Sequence, residues 1–145
     1  MLVRLLYASR PATALTQGVA DAILAQSRKK NPAAGVTGLL CVAEDVFIQV
    51  LEGGRDEVCD LYHAIVRDPR HKDVKLLSYE EIGARRFGNW TMGQVHAGKI
   101  NPSLLLKYFS RAALNPFDAP GHATLALLDE LVATAAIAGR SEQSQ

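Results

Sequence analysis

One glutamine, Gln49, stands in the run VFIQVLEGG (46–54), where its neighbours are apolar. A primary amide carries two donors and an oxygen with two lone pairs. Left unpaired in a core, such a group costs about 1–3 kcal/mol. Gln49 therefore has either a core partner or a ligand to hold. Tyr7, in LVRLLYAS (2–9), shares a strand face with Val3, Leu5 and Ser9, which aims its phenol at a core. Asn31 falls where a helical stretch meets Pro32, and Trp90 and Met92 fall two apart in NWTMGQV (89–95), on one face of a strand. Phenol, amides, indole and thioether around an apolar core form a hydrogen-bonding set. Each has an ordinary role too: Tyr7, Trp90 and Met92 can simply pack, and Asn31-Pro32 can simply stop a helix.

Hydrolytic and phosphate-binding signals are missing. There is no GxxxxGK[ST] loop, no GxGxxG after a strand, no HExxH and no GxSxG elbow. The four histidines, His63, His71, His96 and His122, lie in different elements without metal-ligand spacing. Glu80 and Glu81 are adjacent on a strand and point to opposite faces, so they cannot share a substrate. Sixteen basic and fifteen acidic residues leave a net charge of +1, which argues against direct nucleic-acid binding. Cys41 and Cys59 have neither CxxC nor zinc-ligand spacing, and the apolar run in MLVRLLYASR is too short for a leader or a membrane span. The expectation is a cytoplasmic protein, not an enzyme, without metal or membrane attachment.

The elements that must position the polar set come from periodicity. Residues 2–9 read as a strand. TQGVADAILAQSRKK (16–30) reads as a helix capped by Thr16 and stopped at Asn31-Pro32. GVTGLLCVA (35–43) and VFIQVLEG (46–53) form a hairpin around Glu44-Asp45. RDEVCDLYHAIVRD (55–68) is a helix with Val58, Leu61, Tyr62 and Ile65 on one stripe, broken at DPRH (68–71). KLLSYEEIG (75–83) and NWTMGQV supply two more strands. This order contains the ferredoxin-like βαββαβ arrangement with an extra strand, an α+β fold in which the first and third strands are neighbours. Tyr7 and Gln49 can then meet. Strand 46–51 is apolar on both faces, with Phe47, Gln49 and Leu51 on one and Val46, Ile48 and Val50 on the other. Two helices cover one face, so PSLLLKYFSRAAL (102–114) and HATLALLDELVATAA (122–136) are expected as a helical pair on the other. At 145 residues this is one domain.

Five stretches carry a resemblance to a known family: VRLLYASR, SRKKNPAAGVTGLL, FIQVLEGGRDEV, IVRDPRH and RRFGNWTMG, in order from Leu2 to about Val95. They resemble BLUF domains, blue-light photoreceptors that hold a flavin. The resemblance implies a flavin-binding photosensory domain over 1–96; the remaining sequence reads as a C-terminal helical extension over 97–138 for capping and output and a disordered tail over 139–145. The resemblance also implies a flavin held without a covalent bond between the first two helices, FAD with FMN as the alternative. Tyr7 would give an electron and a proton, Gln49 would bond both Tyr7 and the flavin, and Asn31 would hold the polar edge of the ring. Trp90 and Met92 would respond to light; Ser9, Asp68, Arg70 and His71 would lie near the ring and its side chain. Val36 and Thr37 would line the ring by position, and Lys30 receives no role.

The resemblance further implies a separate downstream effector, either a transcriptional regulator or an enzyme of cyclic-dinucleotide turnover, and a homo-oligomer. Two other readings stand beside it. An acylphosphatase-like enzyme on the same scaffold would use Arg10 and Asn31, but Pro11 removes a donor from the loop that should bind the anion. A light-inert flavin-binding adaptor would not need both Tyr7 and Gln49.

Overall fold

The computed structural model describes residues 1–13, 17–43, 45–96, 100–133 and 137–140. Thr16, expected as a helix cap, lies outside the described residues, as do 141–145 of the expected tail. Strand β1 (Leu2–Pro11) is followed by helix α1 (Gln17–Ala34), the hairpin β2 (Thr37–Val42) and β3 (Phe47–Gly54), and helix α2 (Arg55–Arg67). Then come β4 (His71–Ile82), β5 (Trp90–His96), α3 (Pro102–Tyr108), α4 (Gly121–Ala133) and β6 (Ile137–Arg140).

The sheet order is β4-β1-β3-β2-β5-β6. Its first four strands pair antiparallel in the ferredoxin-like arrangement, and β5 joins parallel to β2. In the β1–β3 register Tyr7 lies directly opposite Gln49, as adjacency of the first and third strands requires.

The central strands bury both faces, and two cores result. Val3, Leu5, Tyr7, Phe47, Leu51 and Met92 pack beneath α1 and α2, together with Ile23, Leu24 and Val58. Leu6, Ala8, Ile48, Val50, Phe87 and Trp90 pack on the opposite face with Leu105, Leu127, Leu128 and Leu131 of α3 and α4. Strand alternation sends odd and even positions of β1 to opposite cores.

Four boundaries differ from the sequence reading. Helix α1 continues through Asn31-Pro32 to Ala34, because Gly35 at φ +72° supplies the turn that ends it. There Gly35 N–H donates to Pro32 C=O at 3.1 Å and Val36 N–H to Asn31 C=O at 2.9 Å, the paired bonds of a Schellman stop. Asn31 is thereby held in the last helical turn. Strand β4 starts at His71, inside the expected DPRH break. Helix α3 ends at Tyr108, well short of 114, and a 3₁₀ turn (Pro116–Asp118) precedes α4. Finally, Ile137–Arg140 forms a sixth strand antiparallel to β5, where the sequence reading passes from helix into tail.

Candidate functional site

Between α1 and α2, above the α1/α2 core, lies a cleft of about 580 Å³, part of it open to solvent. Its floor is Tyr7 and Gln49; Ile23, Leu61 and Ile65 supply apolar wall, and Asn31, Asp68, Arg70 and His71 supply polar groups.

Gln49 is 3% exposed, and its amide has a partner at each end. Tyr7 Oη donates to Gln49 Oε1 at 2.5 Å, and Gln49 Nε2 donates to Met92 Sδ at 3.3 Å. The two bonds are unequal in kind, since a thioether is a weak acceptor and a phenol a good donor. Burial pushes the Tyr7 phenol well above its ordinary range, and nearby Asp68 and Tyr62 push it the same way. The proton therefore stays on Tyr7 at any ordinary pH, directed at Gln49.

Asn31 differs from Gln49 in one decisive respect. It is 3% exposed and lines the cleft, yet its Nδ2 has no hydrogen-bond partner among the described residues. A buried donor left open costs about 1–3 kcal/mol, so an acceptor brought by a ligand is the natural complement.

Arg70 and Asp68 close the rim. The Arg70 guanidinium forks onto the Asp68 carboxylate at 2.6 and 3.0 Å and reaches Gln26 Oε1 on α1 at 2.9 Å. The Arg70 side-chain bond is the main reason that Asp68 is held below the usual carboxylate range. His71 is pulled below its ordinary value by burial, against the opposing pull of Asp68. Its Nδ1 shares a 2.7 Å hydrogen bond with Ser9 Oγ, and its ring lies 4.8 Å from that of Phe47.

Of the residues expected at the site, Tyr7, Asn31, Gln49, Asp68, Arg70 and His71 line the cleft together. Met92 reaches it through Gln49. Ser9 does not line it; fully buried beneath His71, it fixes that ring instead. Trp90 requires a correction. It packs in the α3/α4 core while Met92 packs in the α1/α2 core, so the two do not share a face. Trp90 is the first residue of β5, its N–H donates back to Phe87 C=O at 3.3 Å, and the β5–β6 register shifts between Trp90 and Gln94. Alternation begins only after that turn. Val36 is buried in the α1/α2 core, and the Thr37 hydroxyl accepts from Arg85 at 3.0 Å, so neither lines the cleft. Gln26, Ser27, Lys30, Ile23, Leu61 and Ala64 are lining residues that sequence reasoning gave no part in the site. The helical spacing of 23, 26, 27 and 30 was the available signal. Arg10 lies 4.4 Å above the Phe117 ring on the α3/α4 side, so the Arg10–Asn31 pair of an acylphosphatase-like site is not assembled.

A family model described as "Sensors of blue-light using FAD" matches residues 2–93. The chain belongs to the BLUF family. Among curated BLUF relatives, the photoactivated adenylate cyclase subunit beta of Euglena longa is 32% identical over 92 residues, 63% of this chain and 11% of that protein. The blue light- and temperature-regulated antirepressor BluF of Escherichia coli is 33% identical over 88 residues, 61% of this chain and 22% of that protein. The chain thus spans only a minor part of these curated relatives' length. Among solved structures, BlrB, titled a BLUF protein in its dark state, superposes with TM-score 0.74 at 33% identity, covering 92% of this chain and 96% of that one. BlsA in its photo-activated state gives TM-score 0.80 at 29% identity over 91% and 95% of the two chains. The α+β fold and its ferredoxin-like core are those of BLUF proteins.

The cleft's chemistry fits a flavin. A flat ring with carbonyls along one edge matches an apolar α2 wall of Leu61, Ala64 and Ile65, Ile23 on the otherwise polar α1 wall, an open Asn31 Nδ2 and the Gln49 amide on the floor. No helix among the described residues is long and apolar enough to cross a membrane.

Proposed function

We propose that this chain is a blue-light sensor that holds FAD in the α1/α2 cleft without a covalent bond and reports light by rearranging the hydrogen bonds of Gln49. The observation that carries this reading is the Tyr7–Gln49–Met92 chain on the cleft floor. Flavin, when bound, supplies the absorption of blue light and an excited ring able to accept an electron.

This chain's residues do the rest. Asn31 holds the polar edge of the ring with its open Nδ2, and Ile23, Leu61 and Ile65 exclude water from its faces. Tyr7 would give one electron and one proton to the excited ring, the proton passing along the bond to Gln49 Oε1, and both would return to Tyr7, so that only the orientation of the Gln49 amide is left changed. High phenol basicity ties proton loss to electron loss, because an isolated phenolate is disfavoured in this core. Gln49 is held firmly on the Tyr7 side and weakly on the Met92 side. When Tyr7 stops donating, rotation of the amide exchanges Oε1 and Nε2 at a cost limited to one weak thioether contact. His71, fixed by Ser9, and the Arg70–Asp68 fork keep the rim shut around the ring.

The domain over 1–96 is then the photosensor and 97–138 the capping and output segment. The chain itself is not an enzyme. It acts in the cytoplasm, as a homo-oligomer, on a separate effector such as a transcriptional regulator or a cyclic-dinucleotide enzyme. Absorption spectra of the purified chain, taken in darkness and after blue light, test the reading. Flavin bands that move to the red and recover in the dark support it. Flavin bands that do not move leave a binding module, and a chain that stays colourless after reconstitution removes the site.

A further inference from the structure

Glu52 is fully buried in β3, three residues beyond Gln49, and lies apart from the cleft. Its carboxylate accepts from Arg4 Nε at 2.7 Å and from two backbone N–H groups of one loop, Arg86 at 3.0 Å and Phe87 at 2.6 Å. Arg85 secures the same loop to Thr37 Oγ1 at 3.0 Å and to the Glu52 carbonyl at 3.3 Å. At its far end the loop runs into β5, where Phe87 C=O accepts from Trp90 N–H and Phe87 itself is wholly buried beside Trp90 in the α3/α4 core. Outward, Arg86 Nη1 pairs with Asp129 Oδ2 of α4 at 2.8 Å. Loop 83–89 is therefore clamped to the strand that carries Gln49, begins the strand that carries Met92, and grips α4.

A buried ion pair adds little stability over apolar packing of the same shape. What this one adds is position, because two N–H donors aimed at one carboxylate fix the loop in direction as well as distance. Asp129 faces the same cluster. Burial raises its carboxyl, with Arg86 and Arg4 opposing and Glu52 assisting.

We propose that Glu52 is the positioning residue of signal output: it makes loop 83–89 a rigid connector that carries a displacement of β5 to α4 through the Arg86–Asp129 pair. This rests on the blue-light reading of the cleft. A change at Gln49 reaches β5 through Met92. A loop free to flex would absorb it, whereas a loop held by Glu52 passes it to the layer on the opposite face of the sheet.

Amide hydrogen exchange over residues 121–133 of the flavin-loaded chain, in darkness and under blue light, tests this. The unmodified chain should show the red shift and a light-dependent change of exchange in α4. Arg86→Ala and Asp129→Ala remove half-exposed side chains, 45% and 36% accessible, and should leave the fold and the red shift intact while α4 exchange stays at its dark level. Arg86→Lys, which keeps a cation for Asp129, should restore part of the response. Glu52→Gln, confirmed as folded by its retained flavin spectrum, should keep the red shift and lose the α4 response. A full α4 response in the Arg86→Ala or Glu52→Gln chain overturns the connector, as does a red-shifting unmodified chain whose α4 never responds. An unmodified chain with bound flavin and no red shift overturns the cleft reading and the connector with it.

Discussion

The sheet has the same strands on both faces, but the two faces bury their polar groups differently. Under α1 and α2, Gln49 has weak and strong partners on either side, Asn31 Nδ2 has none among the described residues, and a cleft opens beside them. Under α3 and α4, the charged Glu52 accepts three hydrogen bonds, and Leu125, Leu127, Leu128 and Leu131 fill the space. Two polar atoms on that side, Trp90 Nε1 and Thr124 Oγ1, are buried without a partner among the described residues, and neither residue lines the α1/α2 cleft. Unmet hydrogen bonding beside a cavity is a binding feature, whereas unmet hydrogen bonding in a filled core is only a cost. The first face is built to accept a ligand and change. On the connector proposal, the second stays rigid and transmits.

The strongest test of that contrast is on the cleft floor. Gln49→Leu has neither donor nor acceptor; it should leave flavin bound and abolish the light-induced red shift entirely. Tyr7→Phe should do likewise, read from light-minus-dark absorption. A retained shift in both would show that the floor chain is not the switch.

On the opposite face, Glu52→Ala leaves Arg4 buried and half-paired, with Glu80 its remaining partner among the described residues at 2.6 Å. Breaking one side of a buried pair costs about 3–5 kcal/mol. Urea unfolding should report a loss of that size, and a loss below about 1 kcal/mol would mean that water reaches the site.

Removing an orphan from each face sharpens the comparison further. Asn31→Leu should weaken flavin binding by about tenfold or more, from the 1–3 kcal/mol of a buried hydrogen bond, while leaving the flavin-free chain no less stable. Thr124→Val should stabilise the chain by about 1 kcal/mol with flavin affinity unchanged. Equal effects of the two on flavin affinity would erase the distinction between the faces.

The smallest effect is on pH. His71 is held below its ordinary 6.5 mainly by burial, with Asp68 opposing and Arg70 assisting. The unfolded chain then binds a proton that the folded ring resists, so stability falls as pH drops below about 6.5 and is level above it. His71→Gln should flatten that slope in denaturant titrations between pH 5 and 7, a window set by the ordinary histidine range. Asp68, held low by Arg70, loses its contribution only at more acidic pH, as it is protonated below the usual carboxylate range.

Much of this was written in the sequence. The alternation of LVRLLYAS and the two-sided apolarity of VFIQVL determined that the sheet has two covered faces, and strand adjacency brought Tyr7 to Gln49. Five motifs in order pointed to the family, which the match over residues 2–93 shows. The helix stop differs from the sequence reading for a local reason: Asn31-Pro32 is a plausible terminator, but Gly35 at positive φ makes the real end, with the Gly35 and Val36 N–H groups bonded back to Pro32 and Asn31 C=O.

Tertiary structure decided what spacing could not. Trp90 and Met92 are two apart, and period-two alternation puts them together; a turn at the first residue of β5, held through Phe87 and Glu52, sends them to opposite cores. Ser9 has the right face but supports His71 instead of meeting the cleft, a matter of strand-to-strand packing across 62 residues of sequence. Glu52 carried no signal, since a glutamate at a strand end reads as solvated until Arg4 and two loop N–H groups are seen to converge on it. Periodicity fixes which face a side chain takes within a regular element. Which partners meet it there depends on contacts between residues far apart in the chain, and those exist only once the chain has folded.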